Sequence, residues 1–134
     1  MKLETLTASQ AAKLLESREV SSVELTQACL ERIELRNGEV GAFAHIDPEF
    51  SLKQAALADS EPRRSSFQGV PFGVKDVIDT KDFLTERGTP IHAGRQPVAD
   101  AKCVQLMREA GAVLLGKLVS NEYAMFTPNE TRHP

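Results

Sequence analysis

The sequence is short of cysteine and of long apolar runs, and each shortage removes a class of protein. Two cysteines in 134 residues, Cys29 and Cys103, have neither the density of a secreted disulfide scaffold nor metal-ligand spacing. Both fall in predicted helices and are expected to be small core residues. A Cys/His hydrolase using Cys103 with His45, His92 or His133 lacks any local sequence that would stabilise a thiolate. The three histidines are too scattered to propose a metal site, and each is read as a surface residue. No apolar run approaches the roughly 20 residues of a membrane helix, and the start Met1-Lys2-Leu3-Glu4-Thr5 lacks the apolar centre of a signal peptide. No membrane association is implied, and the cytosol is the expected compartment. A net charge of −3 gives no ground for nucleic-acid binding, which leaves a basic face. Internal repeats and low-complexity tracts are also absent from the sequence.

What is present is an ordinary globular composition, 41% hydrophobic and 26% charged, in a chain long enough to bury about two-thirds of its unfolded surface. Thr7-Ala8-Ser9-Gln10 has capping-box spacing and predicts a helix over 8–17 with Ala11, Leu14 and Leu15 on its apolar face. Ser21-Ser22-Val23-Glu24 repeats the signal and opens a longer helix to about Arg36, with Leu25, Cys29, Leu30 and Ile33 on one side and Asn37-Gly38 as its stop. Residues 42–46 are expected to be extended. Asp47-Pro48 then supplies an N-cap and an N1 proline for a helix to about Asp59. Residues 60–66, with Pro62, Arg63 and Arg64, read as a solvated loop.

Further on, a turn-rich stretch holds Gly88, Pro90, Gly94 and Pro97. Arg87 and His92 there are candidate polar lining of a site, although a structural loop is the favoured reading. Asp100 is placed to cap a helix over 101–110 that Gly111 closes, and 112–118 reads as a strand. With the strand described next, this makes a β-loop-α-β unit whose strands should lie parallel in one sheet with a right-handed crossover. Ser120 is expected to cap a last turn through Met125, and residues 126–134 read as irregular.

Residues 68–80 set a lysine inside an otherwise apolar, glycine-punctuated run. Gly69 and Pro71 mark a turn, and 72–78 reads as a short strand interrupted by Gly73, Lys75 and Asp76. The glycine suggests close backbone approach. A lysine in water has a pKa of about 10.4 and is a poor base near neutral pH. Burial disfavours the ammonium form, so a shielded lysine at a strand end can serve as a general base. Asp76 pulls the other way, because an adjacent carboxylate favours the charged form. Read alone, Lys75 is a surface or salt-bridged side chain, since long charged side chains keep their heads in water.

The surrounding residues change that reading. Gly69-Val70-Pro71-Phe72-Gly73-Val74-Lys75-Asp76-Val77-Ile78-Asp79-Thr80 resembles the lysine segment of the amidase signature family, whose members carry Gly-Val-Pro-Phe-x-Val-Lys-Asp there. The resemblance continues through Thr85-Glu86-Arg87-Gly88-Thr89-Pro90, Asp100-Ala101 and Ala110-Gly111-Ala112-Val113-Leu114-Leu115-Gly116-Lys117. Glu122-Tyr123-Ala124 and Thr131-Arg132-His133-Pro134 are similar to the Glu-Phe-Ala and Thr-Arg-Asn-Pro of many relatives. The resemblance implies an α/β fold, an α/β/α sandwich around a mixed sheet, with residues 1–60 as peripheral wrapping helices and 67–134 as the start of the sheet core.

The activity it implies is hydrolysis of a carboxamide C–N bond through an acyl-enzyme, by a serine nucleophile, a second serine in a cis peptide linkage and a lysine, with no cofactor and no metal. By residue match Lys75 takes the lysine role. Met125 and Phe126 match positions near the substrate pocket, with core packing as their plainer reading. Lys117 is read as a paired or exposed strand-end lysine. Its setting, Gly116-Lys117-Leu118-Val119-Ser120 in place of the more frequent Gly-Lys-Thr-Asn, gives no ground for assigning a branch such as the tRNA-dependent amidotransferases.

The family's serines belong to a Gly-Gly-Ser-Ser-Gly-Gly-Ser-like segment, and no serine here has such neighbours. Ser21-Ser22 opens a helix and Ser65-Ser66 lies in a polar loop. The expectation is therefore an N-terminal portion of a single amidase domain that lacks nucleophile and oxyanion donors and is inactive alone. Its partners would be a small-molecule amide and the remaining C-terminal portion of the same domain, with a homo-oligomer left open. The alternative is a non-catalytic interaction or assembly module that retains half of the fold.

Overall fold

Both capping boxes form as their spacing predicts. In the computed structural model, which describes residues 2–125 and 127–133, Thr7 and Gln10 cap each other's backbone at the start of α1 (Ala8–Ser17). Ser21 and Glu24 do the same for α2 (Ser22–Val40). The second helix runs past its expected end. Asn37 and Gly38 lie inside it, and Gly41, at φ 62°, is the left-handed stop. The reason is that the Asn37 amide is committed elsewhere: it donates to the Phe43 carbonyl and accepts the Phe43 N–H. That pair braces the exit of the helix and leaves its end to glycine, which takes φ > 0 without a Cβ clash.

Asp47 caps α3 (Pro48–Ser60) with Pro48 in its first turn, as expected. Near the far end of this helix, the Asp59 carboxylate accepts the backbone N–H groups of Ser22 at 2.7 Å and Val23 at 3.1 Å. A carboxylate there satisfies orphan donors and complements the dipole of α2, so one side chain ties two helices together.

The sheet is mixed. β1 (Phe43–Ile46), β2 (Pro71–Lys75) and β3 (Val113–Leu118) lie in the order β1-β3-β2, with β1 antiparallel and β2 parallel to β3. Thus β1, from the stretch expected to be peripheral helices, joins the sheet. The parallel pair, bridged by α4 (Lys102–Glu109), is the expected β-loop-α-β unit. β2 is shorter than expected, because the Ile78 N–H turns back onto the Lys75 carbonyl at 3.0 Å and ends the extended run.

Nor does Asp100 cap α4. Its carboxylate accepts from the Lys81 N–H at 2.7 Å and from Arg108 at 3.0 Å, leaving Ala101 as an N-cap without a side-chain bond. Ser120 does not cap the last turn either; its hydroxyl donates to the Asn121 carbonyl, ahead of a single 3₁₀ turn at Glu122–Ala124.

β3, flanked by a strand on each side, is the centre of the core: Val113 and Leu114 are completely buried. Val74, Phe83, Val104 and Leu114 form one cluster, joined by Phe50, which meets Phe83 edge-on at 5.5 Å. Ala11, Leu15, Val20, Leu25 and Val70 form a second, with Cys29 packed against it. Cys103 is exposed and is not the core residue expected, since it lies on a side of α4 that nothing covers among the described residues. At Gly116 the backbones of β1 and β3 come so close that a Cβ would lie 2.2 Å from the His45 carbonyl oxygen.

Polar side chains pin the connection from β2 to α4. Arg95 grips Asp79 with two parallel bonds of 2.7 and 2.8 Å, and Arg108 of α4 reaches both Asp82 and Asp100. Glu86 accepts the Gly94 N–H at 2.7 Å and pairs with His45 at 2.9 Å. His45 is therefore a half-buried partner of Glu86 and not the surface residue expected. The Arg95 hydrogen bond holds the Asp79 carboxyl below its ordinary range, against the opposing effect of burial. The Gly94 N–H, with help from His45, does the same for Glu86.

A carboxyl whose pKa falls on folding adds stability above its unfolded value and loses it as the pH falls through the folded one. For Asp79 the loss begins below its ordinary 3.8. Asp79→Asn is therefore expected to lower the urea midpoint at pH 7, with the gap to the parent protein closing as the pH is taken below that value. Gly116→Ala is expected to cost at least about 2 kcal/mol in the same measurement, because two paired strands must separate to admit the methyl group.

Candidate functional site

The turn before β2 and the end of that strand deliver Lys75 to the rim of the sheet. Lys75 is paired with Leu118 across the β2–β3 ladder, and Val74 with Lys117. Successive strand residues project to opposite faces, so the two lysines leave the sheet on opposite sides. Their surroundings have little in common. Lys75 is exposed, and its side chain makes no hydrogen bond or ion pair among the described residues. The shielding expected for it is not supplied by these residues. Gly73, two positions earlier, leaves room for the Leu118 side chain, which lies 3.2 Å from where a Cβ would stand. The close approach expected at this glycine is thus that of a side chain.

Lys117, by contrast, has no exposed surface. Its ammonium lies 2.9 Å from the Ile78 carbonyl, 3.2 Å from that of Leu84, 2.5 Å from the Thr85 hydroxyl and 3.2 Å from Asp76 Oδ1. An ammonium has three donors, so these four acceptors saturate it. Asp76 is itself buried and also accepts the Glu86 N–H at 3.1 Å, while its own N–H donates to the Leu118 carbonyl at 2.8 Å. Burial pushes the Lys117 pKa down, and the Asp76 carboxylate opposes that shift. Sequence order sets Asp76 beside Lys75 as the carboxylate acting on it; the fold gives that carboxylate to Lys117 instead. Lys117 is a paired lysine, the first of the two readings open to it. A signal for its burial is available in its position within the apolar run 112–118, on a strand too central for a side chain to reach water.

Beside this knot opens a shallow cavity lined by Asp76, Glu86, Thr89, Val119 and Ser120. Arg87 joins its two sides: its N–H donates to the Asp76 carbonyl and its carbonyl accepts the Tyr123 N–H, each at 2.9 Å. Thr89 bonds Glu122 at 2.9 Å, and the Tyr123 hydroxyl meets His92 at 2.8 Å. Gly88 at φ 65° lets the loop sit on this turn, where a Cβ would come within 2.3 Å of the Ser120 carbonyl oxygen. Arg87 through its backbone and His92 through its ring thus tie this loop to the turn at Glu122–Ala124. The turn that they hold carries Met125, which is exposed and not packed in a core. Phe126 lies outside the described residues. No group of three or more His, Cys, Asp or Glu among the described residues could hold a metal ion, and no described helix is long and apolar enough to cross a membrane.

Comparison with known proteins identifies the family and the fold. A glutamyl-tRNA(Gln) amidotransferase subunit from Chloroflexus aggregans is 41% identical over 132 residues, which are 96% of this chain and 27% of that protein. The corresponding protein of Ruegeria pomeroyi is 39% identical over 133 residues, with the same coverage of 96% and 27%. Among solved structures, the native peptide amidase from Stenotrophomonas maltophilia matches with a TM-score of 0.84 and 32% identity over 95% of this chain and 27% of its own. A 6-aminohexanoate cyclic dimer hydrolase matches with a TM-score of 0.80 and 28% identity over 92% of this chain and 25% of its own. The chain spans about a quarter of the length of the curated relatives it matches. The α/β fold, with helices around a mixed sheet, is the one these neighbours share. The family model described as Amidase matches residues 24–133, most of the chain, and with it the sequence and the fold agree that this chain belongs to the amidase family.

Proposed function

We propose that Lys75 is the proton acceptor of a Ser/cis-Ser/Lys amide-hydrolysing site, and that residues 1–134 are the lysine-bearing N-terminal part of a single amidase domain. The observation that carries this reading is the position of Lys75 at the C-terminal end of β2, within the matched Gly-Val-Pro-Phe-x-Val-Lys-Asp segment, its amine engaged by nothing else among the described residues. The nearest carboxylate in sequence, Asp76, is occupied by Lys117. An amine left free at a strand end is available to hydroxyl groups brought to it by other polypeptide.

In that reaction the neutral amine of Lys75 takes, through a bridging serine, the proton of the nucleophilic serine as its oxygen bonds to the amide carbon. The resulting ammonium returns the proton to the departing nitrogen as the C–N bond breaks, and water then hydrolyses the acyl-serine. Residues 1–134 contain no Gly/Ser-rich segment. The two serines and the backbone donors for the oxyanion therefore come from outside these residues, and the 134 residues alone do not turn over an amide.

The substrate class is a carboxamide, the bond common to a peptide amidase, a cyclic-dimer hydrolase and a tRNA-dependent amidotransferase. Met125, exposed on the turn that Arg87 ties to Asp76, lies toward the substrate with Phe126 next to it in the chain. The relatives that are named as subunits make assembly with further polypeptide part of this reading.

In the complete polypeptide, Lys75→Ala is expected to lower kcat/KM for release of ammonia from a small primary amide by about 10²- to 10⁴-fold. Lys75→Arg should not restore it, because a guanidinium does not give up its proton. An unchanged rate in Lys75→Ala, or a reading frame without a Gly/Ser-rich segment, would overturn the assignment.

A further inference from the structure

We infer that Lys117 is a positioning residue for the Lys75 amine: its buried ammonium locks the turn that follows Lys75, acting through Asp76. This rests on the reading of Lys75 as the proton acceptor and goes beyond it. Because the Lys75 side chain has no partner among the described residues, the place of its amine is set by the backbone from which it extends. That backbone is fixed on both sides. Before it runs the parallel ladder of β2 on β3; after it, the Ile78 N–H closes a turn onto the Lys75 carbonyl at 3.0 Å.

Every acceptor of the Lys117 ammonium lies in or against that turn. Asp76 is the next residue, Ile78 is the residue that closes the turn, and Leu84 and Thr85 lie on the loop laid over it. Asp76 itself bonds that loop twice, its carboxylate accepting the Glu86 N–H and its carbonyl accepting the Arg87 N–H at 2.9 Å.

The alternative is that Lys117 only fills the core. An apolar residue of similar volume would do that without the desolvation of two charges, and replacing buried ion pairs by apolar groups is often neutral or stabilising. What a methionine could not do is donate three hydrogen bonds in divergent directions and so draw the turn at 76–78 and the loop at 84–85 to one point. The acceptors are also not scattered through the core, as they would be around a charge that is merely accommodated. They are confined to the residues that set the direction in which Lys75 leaves the sheet, and displacements of about 1 Å at a reacting group can cost 10²-fold in rate.

The test is a double-mutant cycle in the complete amidase, with turnover of a small primary amide expressed per natively folded molecule, the folded fraction being read from thermal unfolding. Lys117→Met is expected to lower kcat by about 10- to 100-fold with KM changed less than about threefold. The same substitution in a Lys75→Ala background should cost less than about twofold, because nothing is left to position. Equal losses in both backgrounds, or full activity in folded Lys117→Met, would sink the proposal while leaving Lys75 its role. A silent Lys75→Ala would remove the reading of Lys75 and the proposal with it. Should Lys117→Met fail to fold, Thr85→Val, which deletes the acceptor at 2.5 Å and keeps its volume, carries the same cycle. Its expected loss is about 3- to 10-fold with Lys75 present and none without it, and equal losses would again count against the proposal.

Discussion

A charged amine without water has to be given acceptors, and that requirement organises much of this structure. Lys117 stands on the central strand of the sheet with no exposed surface. An ammonium in such a place costs several kcal/mol unless it is paired and hydrogen-bonded. The chain meets the demand with one carboxylate, one hydroxyl and two carbonyls, all drawn from residues 76–85. Those residues are irregular, and irregular backbone carries polar groups that no ladder satisfies. The lysine and the loop thus solve each other's problem: the loop neutralises the amine, and the amine gives the loop carbonyls their donors.

The same constraint connects the two ends of the candidate site. Asp76 touches Lys117 with its carboxylate, β3 with its N–H and Arg87 with its carbonyl. Arg87 in turn bonds Tyr123, on the turn before Met125. A disturbance at the buried pair would therefore reach both the lysine of the family motif and the segment proposed for substrate contact, without either having to touch the pair. The ion pairs farther out, Arg95 with Asp79 and Arg108 with Asp82 and Asp100, fasten the remainder of the connection to its own residues and to α4.

Features whose partners are close in sequence are readable before folding is considered. The starts of α1, α2 and α3 follow from capping residues three positions from their targets, and the alternation from strand to helix to strand follows from the spacing of apolar side chains. The reading fails where a short polar side chain has a choice of partners. Asn37 has the look of a helix stop and instead braces Phe43; Asp100 has the look of a cap for α4 and instead binds Lys81 and Arg108. Asp76 stands next to Lys75 in the chain, yet neighbours on a strand point apart, while Lys117, far away in sequence, points the same way as Val74. Such choices are settled by which donors the tertiary fold brings near, and sequence distance is a poor guide to that. The family motif locates Lys75 because motif matching depends on residue order alone; the shielding expected for it depends on what covers the strand end.

The ladder of β2 and β3 also acts as a partition between two identical functional groups. An acylating or carbamoylating solute arriving from water meets one amine on the open side of the sheet and is barred from the other by packed backbone and by hydrogen bonds that occupy its protons. Nucleophilicity is thus assigned by topology, since the side chains are chemically the same. A single step of register of one strand against the other would bring both amines to the same face and remove that distinction.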